Sequence, residues 1–199
     1  MEILAFNRWS TAGISVKDPG LIRYITLEPR IVPRTAARYT GKQFHKSKTF
    51  IVERLINRIR VPGHKVKQHH FKTSGHMATQ GINAYNIIEQ VLARIEKQCK
   101  ENPIKVFVKA IENAAPREEI VTIEYGGARY PKAVECSPQR RIDLVLKIMT
   151  QGAYHKSFNS KKKIVDTLTE EIIAAYNSSN TSIVIAKKNE LERQCDSSR

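Results

Sequence analysis

The fold of this chain is decided by one stretch, ENPIKVFVKAIENAAPREEIVTIEYGGARYPKAVECSPQRR at residues 101–141. Asn102-Pro103 is a polar cap followed by proline at the first helical position, so a helix is predicted to begin there. Two β-rich segments, 119–125 and 129–136, flank Gly126-Gly127-Ala128 and predict a hairpin with a short glycine turn. Ser137-Pro138 then repeats the cap-plus-proline signal of a helix start. The stretch therefore predicts a β-hairpin inserted between two helices.

Helical periodicity extends outward on both sides of this stretch. Apolar residues recur at the i, i+3, i+4 spacing over 48–60, 82–99 and 160–176, and a short charged helix is predicted over 183–195. The helix that Ser137-Pro138 opens is predicted to end near Gly152. The predicted fold is thus mainly α, with six helices and a β-hairpin ribbon inserted between helices three and four.

The N-terminal part of the chain has a different character. Residues 1–45 show no helical period and are punctuated by Pro19, Pro29 and Pro33. Proline fixes φ and removes a hydrogen-bond donor, so an extended basic N-terminal arm is predicted. The predicted organisation is an arm over 1–45 and a helical domain over 46–199, with its hairpin at about 119–136.

Basic side chains are concentrated in one part of the chain. Between Arg30 and Gln80 there are twelve Lys and Arg residues against a single acid, Glu53, so most of the formal net charge of +15 lies there. A one-sided field of this kind attracts a polyanion and repels itself without one. The apolar share of 41% is enough for a hydrophobic core. We therefore expect a folded protein whose partner is nucleic acid.

Several other classes of protein are disfavoured. No apolar run approaches the ~20 residues of a membrane-spanning helix, and the start, MEILAFNRW, lacks the basic region of a signal peptide. Cys99, Cys136 and Cys195 are odd in number and widely spaced, which is typical of reduced thiols in a cytosolic compartment. No phosphate-binding glycine loop, zinc-protease motif or serine-hydrolase motif is present. We expect neither catalysis nor a cofactor, and no small-molecule substrate.

Four histidines lie in the polar loop between helices one and two: His64, His69, His70 and His76. Imidazole nitrogens can bind zinc, but the loop has no Cys, Asp or Glu, and adjacent histidines are not a usual zinc spacing. We predict no metal site. Contact with phosphate or base edges and an ordinary solvated loop both stay open.

The arrangement of the cations favours RNA over DNA. Arg34, Arg38, Lys42 and Lys46 recur every four positions, and Arg140-Arg141 follows the hairpin. Lysines 161–163 stand at the predicted start of helix five. Cations on an arm, a ribbon and helix starts suit the irregular surface of folded RNA, which is recognised by shape and phosphate position. A DNA-binding regulator that uses helix four as a reading helix is the alternative.

Four runs together carry a family resemblance: IVERLINRI at 51–59, ENPIKVFVKAIENAAPREE at 101–119, YGGARYPKAVECSPQRR at 125–141 and KKNELER at 187–193. They resemble the universal family of small-ribosomal-subunit protein seven. KDPGLIRYITLEPRIVPRTAAR at 17–38 resembles the N-terminal extension of its archaeal and eukaryotic cytosolic branch. The resemblance implies a structural, non-enzymatic protein that binds the 3′ major domain of small-subunit ribosomal RNA and helps assemble the head. It also implies a ribbon that lines the exit-site tRNA and mRNA path.

Candidate contact residues follow from the basic pattern and from this resemblance. Those expected to bind RNA are Arg34, Arg38, Lys42, Lys46, Lys48, Arg54, Arg58, Lys65, Lys67, Arg117, Arg140, Arg141, Lys161 and Lys162. Those expected at the hairpin tip near tRNA and mRNA are Gly126, Gly127, Arg129, Tyr130 and Lys132. The resemblance further implies contact with neighbouring head and platform proteins. It also implies a cytoplasmic location, with nucleolar assembly if the source is eukaryotic.

Overall fold

The computed structural model describes residues 3–32, 34, 41–62 and 79–199. The helices of these residues are α1 (Ile51–Arg60), α2 (Gly81–Cys99), α3 (Pro103–Ala114), α4 (Pro138–Ser157), α5 (Ile164–Tyr176) and α6 (Ile183–Asp196). Strands β1 (Glu118–Tyr125) and β2 (Ala128–Glu135) lie between α3 and α4. The prediction of a mainly helical fold, with six helices and a hairpin between the third and fourth, is confirmed.

Helix α5 lies at the centre of the domain and packs against α2, α3, α4 and α6, while α1 packs against α2 and α4. The apolar stripes that predicted the helices form one continuous core. Phe107 of α3 is the bulkiest of the fully buried side chains. Burial of such a side chain contributes roughly 1.5–3 kcal/mol, so the stripes hold the helices together.

The helix starts follow the chemistry of their caps. The Asn102 side chain accepts a hydrogen bond from the Ile104 amide at 3.0 Å, and Pro103 takes the first helical position. The Asn102 amide also donates to the Ser10 carbonyl at 2.7 Å, which ties the N-terminal segment to α3. One polar side chain therefore both starts a helix and anchors a distant part of the chain.

The two strands form an antiparallel hairpin in which Tyr125 pairs with Ala128. The two residues between them, Gly126 and Gly127, have φ of 55° and 83°. Positive φ at both central positions is the geometry of a type I′ turn, which glycine adopts without steric cost. The predicted glycine turn is thus observed, and it fixes the register of the whole ribbon.

Three predicted helix ends differ from the observed ones. Helix α4 does not end near Gly152 but continues to Ser157. Gly152 lies against α6, because a Cβ built on it would be 2.9 Å from Ile183 Cδ1. The glycine therefore permits close helix packing and is not a terminator. Helix α1 begins at Ile51 after a 3₁₀ turn at His45–Lys48, and α5 begins at Ile164, so the three lysines precede the helix.

Part of the segment predicted as an arm packs on the helices. Ala5, Trp9, Leu21 and Ile25 are buried in the core, and the Ile51 amide donates to the Thr26 carbonyl at 3.0 Å. Exposed side chains follow at Ile31, Val32 and Arg34. The division of the chain at residue 45 stays a prediction.

Candidate nucleic-acid interface

A groove of about 680 Å³ runs between α1, the 3₁₀ turn before it and the first two turns of α4. Helical spacing brings its walls together. Arg54 and Arg58 are four residues apart on α1, and Arg140, Asp143 and Lys147 recur every three or four residues on α4. The 3₁₀ turn adds Lys46, and the residues just before it add Lys42. The groove is therefore lined by six cations, which are Lys42, Lys46, Arg54, Arg58, Arg140 and Lys147.

The six cations surround one acid, Asp143. Its Oδ2 lies 2.8 Å from Lys46 Nζ, and its Oδ1 lies 3.0 Å from Arg54 Nη2. The Arg54 side chain is only 3% exposed, and it also donates to the Tyr24 carbonyl at 3.1 Å. Burial lowers the pKa of Arg54, and the charge of Asp143 opposes that shift. Arg54 is therefore an internal brace between α1, α4 and the N-terminal segment.

The remaining cations of the groove are accessible. Lys42, Lys46 and Arg140 are exposed, and Arg58 and Lys147 are half-buried. Burial lowers the pKa of Arg58, and the charge of Asp143 opposes that shift. Within the described part of the chain, Lys42 and Lys147 take part in no ion pair. Positive charge at the groove thus exceeds what Asp143, and Glu119 beside Arg140, can neutralise.

A second group of charges lies where the hairpin joins the helices. The buried Arg141 donates from Nε to the Pro116 carbonyl at 2.9 Å and from Nη2 to Asp18 at 2.8 Å. Burial raises the pKa of Asp18, but the hydrogen bonds from Arg141 and from the Gly20 amide, together with the charge of Arg141, outweigh it, so the pKa is lowered. Arg141 thus joins the start of α4 to the end of α3 and the N-terminal segment.

The neighbouring Arg140 points outward and holds the hairpin. Its Nε lies 2.6 Å from Glu119 Oε1, and its Nη2 donates to Glu119 Oε2 at 2.7 Å. Beside this pair, burial and the charge of Glu119 raise the pKa of the Cys136 thiol to about 11. Glu119 is therefore paired within the protein, where it fixes the base of the ribbon.

The other predicted contact residues are scattered around the molecule. Lys48, Arg117 and Lys161 are exposed, and Lys162 pairs with Glu170 at 2.7 Å. Arg34 is exposed, and its Nη2 would be 3.5 Å from a Cβ built on Gly81. Three predicted residues, Arg38, Lys65 and Lys67, and the histidines of the loop lie outside the described residues.

The hairpin tip separates its predicted residues onto two faces. Directly paired residues share a face, and the register pairs Ile123 with Tyr130, Val121 with Lys132 and Glu124 with Arg129. Tyr130 is 59% exposed and Tyr125 is 79% exposed. One face of the ribbon is therefore apolar and aromatic with a lysine at its edge, and the other carries a Glu–Arg pair at 3.7 Å.

Sequence reasoning did not find Asp143, Lys147, Asn57, Gln139 or the exposed Phe44, all of which line the groove. Helical spacing from Arg140 was the available signal for Asp143 and Lys147. No sequence signal identified Phe44, because its contribution depends on how the turn before α1 is oriented.

The described residues contain neither a membrane-spanning helix nor a cluster of metal ligands. None of the helices in 3–32, 34, 41–62 and 79–199 is long and apolar enough to cross a membrane. In the same residues, no three His, Cys, Asp or Glu side chains are grouped as a metal site would require.

A helical domain with a protruding ribbon and a strongly cationic groove is typical of proteins that bind a polyanion. The chain belongs to the family described as ribosomal protein S7p/S5e, whose model matches residues 21–199. The small ribosomal subunit protein uS7 of Nanoarchaeum equitans is 50% identical over 199 residues, the full length of both chains. The uS7 protein of Archaeoglobus fulgidus is 42% identical over 198 residues, covering all of this chain and 96% of the relative. The protein is therefore a structural constituent of the small ribosomal subunit and not an enzyme.

Proposed function

We propose that the protein binds the 3′ major domain of small-subunit ribosomal RNA and helps assemble the head of the subunit. The observation that carries this proposal is the groove between α1 and α4, where five accessible cations surround one carboxylate. Phosphate oxygens accept charge-assisted hydrogen bonds from lysine and arginine. An RNA backbone in the groove would supply the negative charge that the protein itself lacks there.

The two buried arginines act differently from the exposed ones. Arg54 and Arg141 hold their guanidinium groups against Asp143 and Asp18, so in this proposal they fix the positions of α1 and α4. Lys42, Lys46, Arg58, Arg140 and Lys147 contact phosphates directly. Contacts outside the groove extend the surface to the remaining predicted cations, which are Arg34, Arg38, Lys48, Lys65, Lys67, Arg117, Lys161 and Lys162.

The ribbon is proposed to line the exit-site path of tRNA and mRNA. Supporting this, Val121, Ile123, Tyr125 and Tyr130 are exposed on the ribbon. Such a surface has no partner among the described residues, and large apolar groups in contact with water usually mark an interface. The two-glycine turn leaves the tip narrow, so Arg129, Tyr130 and Lys132 can approach a nucleic-acid strand. We further propose that the protein contacts neighbouring head and platform proteins and that it is located in the cytoplasm.

Filter binding to a transcript of the 3′ major domain across salt concentrations tests this function. A protein that neutralises about 6–10 phosphates loses roughly 10³–10⁵ in affinity between about 50 and 200 mM salt. The triple variant Lys42→Ala, Lys46→Ala, Lys147→Ala is expected to bind more weakly and with a shallower salt slope, by about one phosphate per lysine removed. A matched control is Lys97→Ala, Lys105→Ala, Lys109→Ala, which removes the same charge from α2 and α3.

Two results would contradict the proposal. One is an unchanged salt slope in the groove variant, which would exclude the groove as the phosphate-binding surface. The other is tighter binding to duplex DNA than to the structured transcript, which would favour a DNA-binding regulator.

A further inference from the structure

We propose that the groove also receives one unpaired nucleotide, whose base stacks on Phe44. The inference rests on the RNA-binding function proposed above and specifies the chemical form of RNA that the groove accepts. Phe44 precedes the 3₁₀ turn His45–Lys48 and lies between Lys42 and Lys46, both of which line the same groove. A phosphate bound by these lysines would place its base next to the phenyl ring.

The exposure of Phe44 is the first argument. Phe44 is 52% exposed, and the neighbouring Tyr24 meets its ring edge to face at 6.4 Å between ring centroids. Phe44 therefore keeps exposed surface against which a further ring can pack. Aromatic rings beside cations are the stacking platforms on which proteins bind unpaired bases. The ring therefore has a free surface and the electrostatic surroundings that a nucleotide requires.

The backbone at Phe44 is the second argument. Its φ and ψ are 59° and 5°, in the left-handed region. That conformation costs a residue with a Cβ roughly 1–2 kcal/mol, and bulky side chains are uncommon there. Its carbonyl accepts hydrogen bonds from the Ser47 amide at 3.0 Å and from Ser47 Oγ at 2.6 Å, so the turn that follows holds Phe44 in this conformation. Strain of this kind is typical of binding sites, where it orients a side chain toward a ligand.

The walls of the groove supply the third argument. Oε1 of Gln139 and Nε of Arg58 are buried and have no hydrogen-bond partner within the described part of the chain. Gln139 on α4 offers an acceptor and Arg58 on α1 offers a donor, and Asn57 adds an exposed amide on the α1 wall. Base edges offer both donors and acceptors. The volume of about 680 Å³ also lies in the range of roughly 300–1,000 Å³ typical of pockets that hold small organic groups.

Binding of the full chain to short RNA probes tests the proposal. The probes are fluorescently labelled oligoadenylate and oligocytidylate of about 12 nucleotides, within the site sizes of single-strand binders, and a blunt RNA duplex of the same length. Phe44→Leu removes the aromatic face and keeps an apolar side chain. It is expected to weaken single-strand binding about 5- to 150-fold, with an unchanged salt slope and unchanged duplex binding. Phe44→Tyr retains the ring and is expected to bind like the parent chain.

A second variant separates stacking from folding. Asparagine tolerates the left-handed region, so Phe44→Asn is expected to unfold at an equal or higher temperature and still lose single-strand affinity. In addition, a probe carrying one 4-thiouridine is expected to crosslink to peptide 42–46 of the parent chain.

The possible failures can be told apart. The proposal of a base stacked on Phe44 is wrong if Phe44→Leu and Phe44→Asn bind the single strands as the parent chain does while the triple lysine variant binds them weakly. The proposal that the groove binds phosphates would then still hold. If the triple lysine variant also binds as the parent does, the proposed function fails. Absence of saturable binding of the short probes at about 50 mM salt would likewise overturn the stacked base.

Discussion

Arg54 and Asp143 are 89 residues apart in sequence, and their side chains meet at 3.0 Å between Nη2 and Oδ1 at the floor of the groove. Asp143 is the partner that compensates the buried charge of Arg54. Removing one member of such a pair leaves an uncompensated charge, which is far more costly than loss of an exposed pair.

Asp143→Asn is therefore expected to lower the free energy of unfolding by about 1–3 kcal/mol, since the half-exposed carboxylate is partly screened by water. Lys46→Gln breaks the other bond of the same carboxylate, but Lys46 is exposed, and we expect a loss of only ~0.5 kcal/mol or less. Urea denaturation of both variants measures the difference. Equal losses would mean that Arg54 does not depend on Asp143.

Gly152→Ala is expected to destabilise the protein, because the added methyl group would lie 2.9 Å from Ile183 Cδ1. Overpacking of this kind costs about 1–3 kcal/mol, which exceeds the ~1 kcal/mol gain in helix propensity. Ile183→Val removes the methyl group that collides, so the double variant is expected to recover most of the loss. A double-mutant cycle measured by thermal unfolding gives the coupling. Strict additivity would contradict the proposed contact.

Glu171 is a fully buried carboxylate that joins three parts of the fold. It lies 2.9 Å from Lys156 Nζ of α4 and accepts hydrogen bonds from Ser182 Oγ at 2.7 Å and the Val184 amide at 3.2 Å, at the start of α6. Glu171→Gln is expected to cost roughly 3 kcal/mol because the amide cannot satisfy these donors equally well. The adjacent Glu170, paired with Lys162 on the surface, is the control, and Glu170→Gln should cost ~0.5 kcal/mol or less. Chemical denaturation of the two variants measures the free energy of unfolding that each substitution costs, and equal costs would contradict the role given to Glu171.

The Asp18–Arg141 pair predicts a pH effect. Because the pKa of Asp18 is lower in the folded state than in the unfolded state, the pair stabilises the fold above the unfolded value of about 3.9. That contribution is lost as the pH falls below this value through the folded pKa. Asp18→Asn should thus be less stable than the parent chain at neutral pH, and the two should converge once the pH falls below the lowered pKa of Asp18 in the folded state. A stability difference independent of pH would contradict this assignment.

Cys136 is expected to be chemically inert in the folded protein. With its thiol pKa raised to about 11, almost none of it is thiolate at pH 8, and the thiolate is the reactive form. Alkylation by iodoacetamide, followed by mass spectrometry of the peptides, should therefore be slow for Cys136 in the native chain and fast after unfolding in urea. Rapid labelling of the native thiol would show that it is not shielded by burial and Glu119.

The sequence predicted the architecture well because helical stripes, caps and the glycine turn are local signals. It could not separate buried from exposed cations. Arg54 and Arg58 lie four residues apart on the same helix, so the sequence pattern does not distinguish them. Of the two, only Arg54 forms an ion pair within the described residues, and its partner, Asp143, is on α4. Gly152 shows the same limit, because its role depends on Ile183, 31 positions later in the sequence. Long-range partners of this kind require the folded structure.

The two strands of eight residues give the ribbon a length of roughly 27 Å at about 3.4 Å per residue. It is attached near its foot by Arg140 on Glu119 and by Arg199 on Glu118. The strands also pack against α6, and a rotation of about 10° at the foot would carry the tip through roughly 5 Å. Because salt weakens exposed ion pairs, these two pairs hold the foot of the ribbon less firmly as the salt concentration rises.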